Sequence, residues 1–472
     1  GESSGWFDPD WMFGVKDGFD VVIANPPYIK EYTVRKAFNG LRKNPYYQGK
    51  MDLWYFFGSI SLDLLREKGV ECFIATNNWV SNAGASKFRN KIIEESKIIE
   101  YIDFGNYKIF ETADIQTMVF LLQKNKEDQS YTVRYSKLLD DKVPNTFLDI
   151  FLNTEKLDDK FVKYDVNFNR SDFEDSFISF LEPEILNILN KIKSQDVIYL
   201  KNDEVANGIH PHHSVVSRKM LKVLVGQFKV GDGIFLLTEE EKNRLNLNEN
   251  ERELLKPVYT SKELGRYCGN SKNFYWIIYT CSKFKNKKAI EPYLNIKKHL
   301  DKFQEAITSD NKPYGLHRSR EEKFFTGEKI MSLRKCEKPI FTYTDYDCYV
   351  LAEYYVIKTN VVDLKYLIAL LNSKLVEFWL FYKGKRRGNI YQIDKEPLIN
   401  IPIEKATVQD QKLFINLVNE IFTITKSEDY SEDSLKKTKI KKYENQIDQL
   451  IYKLYGLTED EIKIVENFHK KV

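Results

Sequence analysis

The sequence predicts an α/β protein: the rear part of an open, doubly wound sheet, then an α+β domain and a helical tail. Three observations carry this. Val21-Val22-Ile23 is a continuous β-branched run, the composition of a central parallel strand buried on both faces, and it stops at Pro26-Pro27. From Met51 to Leu122, helical and apolar extended stretches alternate. Beyond Pro183, short β segments interrupted by helices run to about Pro402, and amphipathic stripes close the chain.

The elements follow in order. Proline cannot donate to a sheet ladder, so the chain leaves the sheet at the carboxyl end of its first strand, where open α/β folds bind ligands. Met51-Asp52-Leu53-Trp54-Tyr55-Phe56-Phe57 opens an amphipathic stretch to Leu65, with Leu53, Phe56, Phe57 and Ile60 on one helical face. After Lys68-Gly69 an apolar strand, Val70 to Ala75, ends in Thr76-Asn77-Asn78-Trp79. Ile98 to Gly105 is the next strand, and Tyr107-Lys108-Ile109-Phe110 leads through a polar Glu-Thr turn to Ile115-Gln116-Thr117-Met118-Val119-Phe120-Leu121-Leu122. Between Asn153 and Arg170 the sequence is polar and aperiodic, which predicts a linker, a first domain over 1–153 and a second over 171–403. Glu184 to Ile192 has helical spacing after Pro183; Phe274 to Tyr279, Lys329 to Leu333, Pro339 to Tyr343 and Tyr349 to Ile357 are β segments; Leu364 to Phe381 is helical. In the tail, 404–472, Leu413, Phe414, Leu417, Val418, Ile421 and Phe422 form one stripe, Ile447, Leu450, Ile451 and Leu454 form another that closes at Gly456, and Thr458 to Glu461 is a capping box.

Composition sets bounds. A length of 472 residues allows two to four domains. The formal charge of +3 does not announce a nucleic-acid partner, so local patches must. One lies between Lys256 and Ile290, where Lys256, Lys262, Arg266, Lys272, Lys283, Lys285, Lys287 and Lys288 face the single acid Glu263; another is Lys383-Gly384-Lys385-Arg386-Arg387-Gly388-Asn389. Tyr259, Tyr267, Tyr382 and Tyr391 interleave with them, the pattern of a DNA-contacting surface. Five cysteines without a Cys-x-x-Cys predict neither zinc nor disulfides and fit a cytoplasmic protein. His210-Pro211-His212-His213 has no nearby carboxylate pair and is expected to be a polar loop, so no metal site is predicted.

Asn25-Pro26-Pro27-Tyr28 carries the chemistry. The lone pair of a base's exocyclic amine is delocalised into the ring, and the nitrogen becomes nucleophilic when acceptors hold its hydrogens in a pyramidal arrangement. The Asn25 side-chain oxygen and the Pro26 carbonyl can be those acceptors, with Pro27 stiffening the turn, and Tyr28 can stack on a base flipped out of the duplex.

At these residues the chain resembles the N6-adenine DNA methyltransferases. The resemblance implies a Rossmann-like S-adenosylmethionine-dependent methyltransferase sheet, in which Ile115 to Leu122 is an antiparallel hairpin strand. It also implies that Phe110 stacks on the opposite face of the flipped adenine, and that Phe57 matches an aromatic near the cofactor's adenine; a helix-core role for Phe57 stays open beside this. Such enzymes bind the cofactor on a glycine-rich turn that precedes the catalytic strand, and none precedes Asn25. The chain is therefore expected to be the carboxyl-terminal piece of a longer protein and inactive by itself.

Farther on, Leu255-Lys256-Pro257-Val258-Tyr259, Leu316-His317-Arg318-Ser319-Arg320, Lys329-Ile330 to Arg334, Phe341-Thr342-Tyr343 and Leu370-Leu371-Asn372-Ser373-Lys374 resemble the TaqI-type target-recognition domain. Leu454-Tyr455-Gly456-Leu457-Thr458-Glu459 resembles the ends of Eco57I-type (type IIG) restriction-modification enzymes, which join endonuclease, methyltransferase and recognition domains in one chain. No nuclease signature is present, so any nuclease is expected ahead of residue 1. Double-stranded DNA is the expected partner. Lys383, Lys385, Arg386 and Arg387 are candidate phosphate contacts, and His317, Arg318 and Arg320 are candidates to reach base edges. Two rivals are a DNA-binding specificity module with an inactive methyltransferase remnant, and a methyltransferase acting on RNA or protein amides.

Overall fold

The computed structural model describes residues 8–111, 115–154, 158–173, 177–387, 390–427 and 433–471, and divides the chain between Asn187 and Ile188 into two compact units.

The first unit is a six-stranded sheet with helices packed on it. Helix α1 (Pro9–Phe13) is capped by the Asp8 side chain and precedes strand β1 (Phe19–Ala24). Then come α2 (Trp54–Leu64), β2 (Leu65–Thr76), α3 (Ser86–Glu95), β3 (Ser96–Asp103), β4 (Thr117–Lys124), β5 (Ser130–Leu138), α4 (Asn145–Asn153) and β6 (Phe161–Asn169). The order is β1-β2-β4-β3-β5-β6: β1 runs parallel to β2, β4 is antiparallel between β2 and β3, and β6 closes the far edge against β5. The predicted strands and hairpin are therefore present.

Two expectations need correction. β1 is not a central strand buried on both faces but an edge of the described sheet, with Val21 51% and Ile23 75% exposed. Its β-branched composition suits a doubly covered strand, yet only β2 pairs with it among the described residues. The predicted linker is largely a strand, β6. Tyr164, Val166 and Phe168 alternate with Lys163, Asp165 and Asn167, and Val166 and Phe168 are buried, so the polar stretch hides a two-residue period.

The core of this unit is aromatic. Trp54 meets Phe88 edge-on with centroids 5.0 Å apart, Tyr55 stacks on Phe88 at 5.5 Å, and Trp79 and Phe120 complete the cluster. Such pairs each add about 0.5–1.5 kcal/mol beyond the area they bury. Trp54 Nε1 donates to Thr76 Oγ1 at 3.0 Å, tying the start of α2 to the carboxyl end of β2. The helix turns Trp54, Tyr55 and Phe56 inward but leaves Phe57 44% and Ile60 43% exposed, so the four-residue core face expected of α2 is not formed and Phe57 is no core residue.

Glu71 on β2 is fully buried; neither oxygen has a hydrogen-bond partner among the described residues, and burial holds its carboxyl well above the usual range. A carboxyl raised in the folded state contributes no instability below its unfolded value, and its cost grows as pH rises above that value. Glu71→Met should therefore stabilise the protein at pH 8 by about 1 kcal/mol or more, roughly 2–4 °C in melting temperature, with the gain shrinking toward pH 4.5. Thermal melts across that range check it.

The second unit is α+β. Helix α5 (Pro183–Ser194) spans the division of the chain. Five short strands form a sheet in the order Tyr267–Cys268, Phe341–Thr344, Lys329–Leu333, Tyr354–Ile357 and Val205–Asn207. Four form a second, ordered Tyr349–Val350, Leu255–Tyr259, Tyr275–Ile278 and Leu236–Thr238. Helices α6 (Leu364–Leu371), α7 (Lys374–Lys383), α8 (Val408–Thr425), α9 (Ser434–Leu454) and α10 (Glu459–Asn467) follow, the last with the predicted capping box. The tail is not a separate domain. Tyr343 stacks on Phe422 at 5.2 Å, Arg266 pairs with Glu444 at 2.7 Å, and Asp448 accepts from the Lys374 amide at 2.9 Å, so α8 and α9 are built into the unit.

Candidate active site and recognition cleft

The first site forms where β1 ends. Ala24 is the last paired residue, opposite Phe73, and the next four residues turn away from the sheet. Pro26 is buried, while Asn25 and Pro27 are exposed. The Tyr28 hydroxyl lies 2.5 Å from Asn25 Oδ1 and 2.8 Å from the Ile74 carbonyl on β2, so a single proton has two acceptors and the turn is pinned back to the sheet. Asn25 Oδ1 keeps a second lone pair for another donor. The Pro27 carbonyl accepts from the Ile29 amide at 3.2 Å; among the described residues no hydrogen bond reaches the Pro26 carbonyl.

Burial, reinforced by the Asp52 carboxylate, pushes the Tyr28 phenol up to about 12, so it stays a donor. Asp52 is 2% exposed, its backbone faces that of Lys30 in an isolated antiparallel β-bridge, and burial raises its carboxyl. Sequence reasoning quoted Asp52 but gave it no role. The signal was a lone acid between Met51 and Leu53 at the start of an apolar helix.

Phe110 comes from the β3–β4 connection and faces Tyr28, with centroids 6.1 Å apart and planes tilted by 48°. A planar ring held between two aromatic faces needs two contacts of about 3.5 Å, or ~7 Å between parallel rings. The pair stands about 1 Å and a rotation short of admitting one. The structure thus brings Asn25, Pro26, Tyr28 and Phe110 to one place.

In the second unit, Arg318, Ser319 and Arg320 line a polar cleft of about 650 Å³ with Asn207, Tyr355 and Lys395. Arg318 is exposed. Arg320 is not free to extend: its guanidinium donates to the Gly208 carbonyl at 3.3 Å and Asn207 Oδ1 at 3.4 Å, and burial lowers its pKa. His317 is half-buried and meets His210 and His212 at centroid distances of 5.4 and 5.3 Å. The expectation of a polar loop did not include this contact, because His317 lies more than a hundred residues away in sequence.

The basic stretches are partly absorbed by the fold. Lys385 pairs with Glu396 at 2.6 Å, and Arg386 lies over the Phe381 ring at 3.6 Å, with burial lowering its pKa. Lys383 is exposed at the end of α7; Gly388, Asn389 and the Arg387 side chain lie outside the described residues. In the earlier stretch Lys256 pairs with Glu322 and Arg266 with Glu444, whereas Lys262, Lys272, Lys283, Lys285, Lys287 and Lys288 are exposed.

Residues 3–110 match the Eco57I restriction-modification methylase model, and residues 256–403 match the TaqI-like C-terminal specificity domain. The chain is a homologue of the type II methyltransferases. It is 23% identical over 447 residues to the type II methyltransferase M.HindII of Haemophilus influenzae, covering 88% of this chain and 81% of that one. The type II restriction enzyme and methyltransferase RM.Eco57I of Escherichia coli is 24% identical over 115 residues, which is 23% of this chain and 12% of that one. The fold is shared with the type IIL restriction-modification enzyme MmeI, solved in complex with DNA, at TM-score 0.56 and 13% identity over 96% of this chain and 56% of that one. The methylase match covers the Asn25–Tyr28 turn and ends at Phe110, and the specificity match covers Arg318, Tyr355 and Lys395 of the cleft, but not Asn207, together with the Lys383–Arg387 stretch.

Arg386 packs as well as carrying charge, so Arg386→Ala should cost about 1–2 kcal/mol through loss of the desolvated cation–π contact. Lys285→Ala, at an exposed lysine, should cost less than about 0.5 kcal/mol, as surface changes do. Urea denaturation of both variants distinguishes them.

Proposed function

We propose that this chain provides the base-binding part of a site-specific DNA N6-adenine methyltransferase of the type IIG kind. A flipped adenine lies between Tyr28 and Phe110, and the Asn25 side-chain oxygen and the Pro26 carbonyl accept its amine hydrogens. The observation that carries this is the convergence of Asn25, Tyr28 and Phe110 at the carboxyl end of β1. Holding both hydrogens localises the nitrogen lone pair, and Tyr28 orients the Asn25 amide through its own hydrogen bond. S-adenosylmethionine, when bound, supplies an electrophilic methyl group for that nitrogen. The exposed Phe57 ring suits the cofactor's adenine. No glycine-rich turn precedes β1 among the described residues.

Double-stranded DNA is the substrate in this reading. Arg318 is the candidate to read base edges, while His317 and Arg320 hold its loop; Lys383 and the exposed lysines between Lys262 and Lys288 are the candidates to meet phosphates. One observation favours the alternative of a DNA-binding specificity module with an inactive remnant, namely the open apolar edge of β1. The same edge also supports completion of the sheet by a further segment bearing the cofactor's turn.

Asn25→Ala, in the natural polypeptide that contains this chain, should lower adenine methylation by about 100-fold or more while duplex affinity is unchanged. Mass spectrometry of hydrolysed DNA and a gel-shift titration measure the two. Undiminished methylation removes Asn25 from the chemistry, and absence of N6-methyladenine in the unaltered protein favours the specificity-module reading.

Calorimetric titration of S-adenosylmethionine into this chain alone should show no saturable binding at micromolar cofactor. A micromolar dissociation constant would place the whole cofactor site within these residues.

A further inference from the structure

Ring nitrogens of His210, His212 and His317 all lie within 4.8 Å of one another. Tetrahedral coordination by imidazoles at about 2.0–2.1 Å places ligand nitrogens ~3.4 Å apart. Rotation of the two exposed rings, His210 and His212, closes that difference.

The backbone holding the rings is fixed by several independent bonds. His210 and Arg318 exchange amide–carbonyl hydrogen bonds at 2.9 and 3.0 Å, which locks the two segments side by side next to His317. Asn311 donates from its side chain to the carbonyls of Leu316 and His317 at 2.9 and 3.2 Å. The Ile209 amide donates to the Val350 carbonyl at 2.8 Å, and at Gly208 a Cβ would stand 2.0 Å from the Leu351 carbonyl, so only glycine lets this segment lie so close. His212 has φ +71°, an unfavourable conformation for a non-glycine residue that aims its ring at the other two.

The surroundings suit a cation-binding imidazole set. His317 Nδ1 is buried without a hydrogen-bond partner among the described residues, and the Asp310 carboxylate lies 3.7 Å from it. His212 Nε2 and His213 Nε2 flank the Thr308 hydroxyl at 3.3 and 3.1 Å. With His212 Nε2–H donating to that hydroxyl and the hydroxyl donating to His213, Nδ1 of His212 keeps its lone pair for an ion, the outer-sphere arrangement that orients metal-bound histidines.

We propose that His210, His212 and His317 bind a divalent d-block ion, zinc in the first instance, with the fourth position taken by water or the Asp310 carboxylate. Three imidazoles select zinc or its neighbours over magnesium and calcium, which take oxygen ligands. The ion would staple the 208–216 segment to the loop carrying Arg318, and so hold in place one wall of the recognition cleft. The site lies outside the methyltransfer chemistry and does not rest on the function proposed above.

The test uses untagged, chelator-stripped protein titrated with zinc against a chromophoric chelator, with cobalt absorption as a second readout. The expected result is one equivalent bound at micromolar affinity or tighter, d–d bands of a four- or five-coordinate nitrogen–oxygen site without thiolate charge transfer, and a zinc-dependent rise in melting temperature. His317→Gln and His212→Asn, the latter keeping a residue that tolerates positive φ, should each weaken binding about 100-fold, while His213→Ala should do so far less. Circular dichroism without metal verifies that the variants fold. No binding tighter than millimolar in the unaltered protein, retention of the equivalent in the folded His317→Gln and His212→Asn variants, or a thiolate charge-transfer band would each overturn the assignment.

Discussion

The parallel pairing of β1 with β2 sets where everything in the first unit falls. It brings Ala24 opposite Phe73 and so places the Asn25–Tyr28 turn beside the carbonyl of Ile74, which the Tyr28 hydroxyl reaches at 2.8 Å. One proton serving two oxygens is a weak bond to either, but it ties a turn that has two prolines and few backbone donors of its own. The tether is also buffered electrically. Burial beside Asp52 keeps the phenol protonated far above neutrality, so the geometry does not depend on ordinary changes in pH. Trp54 acts from the other side, holding the carboxyl end of β2 to α2 through Thr76. The turn, the helix carrying Phe57 and the strand behind both are thereby one framework.

Much of this was legible in the sequence because the signals were local. A β-branched run stopped by two prolines, a helix after Asp52 and a hairpin after Phe110 are each set by neighbours within a dozen residues. What escaped was of two kinds. β6 carries its period in tyrosine, valine and phenylalanine set among lysine, aspartate and asparagine, and an edge strand with one wet face resembles a polar linker in composition. The other kind is long-range. Neither the partnership of His317 with His210 nor the attachment of α9 through Arg266 and Glu444 leaves any mark on the residues nearby.

Charge in the second unit shows the same division. Counting lysines and arginines along the chain treats every one as available to a polyanion. Folding withdraws several: Lys256, Arg266 and Lys385 into ion pairs, Arg386 onto an aromatic face, and Arg320 into hydrogen bonds with the segment beside it. Of the two basic stretches, the 262–288 one keeps Lys262, Lys272, Lys283, Lys285, Lys287 and Lys288 exposed, a distinction that only the fold could supply.

The open side of β1 has a practical meaning for anyone handling the molecule. Among the described residues only β2 pairs with β1, so its other side, flanked by exposed valine and isoleucine, is a template onto which an extended chain can add. Natural sheets blunt such edges with charge, proline or a bulge, and here the ladder's only irregularity sits at its start, between Phe19 and Val21. The six residues of that border give copies of this chain a surface on which to add to one another in concentrated solution.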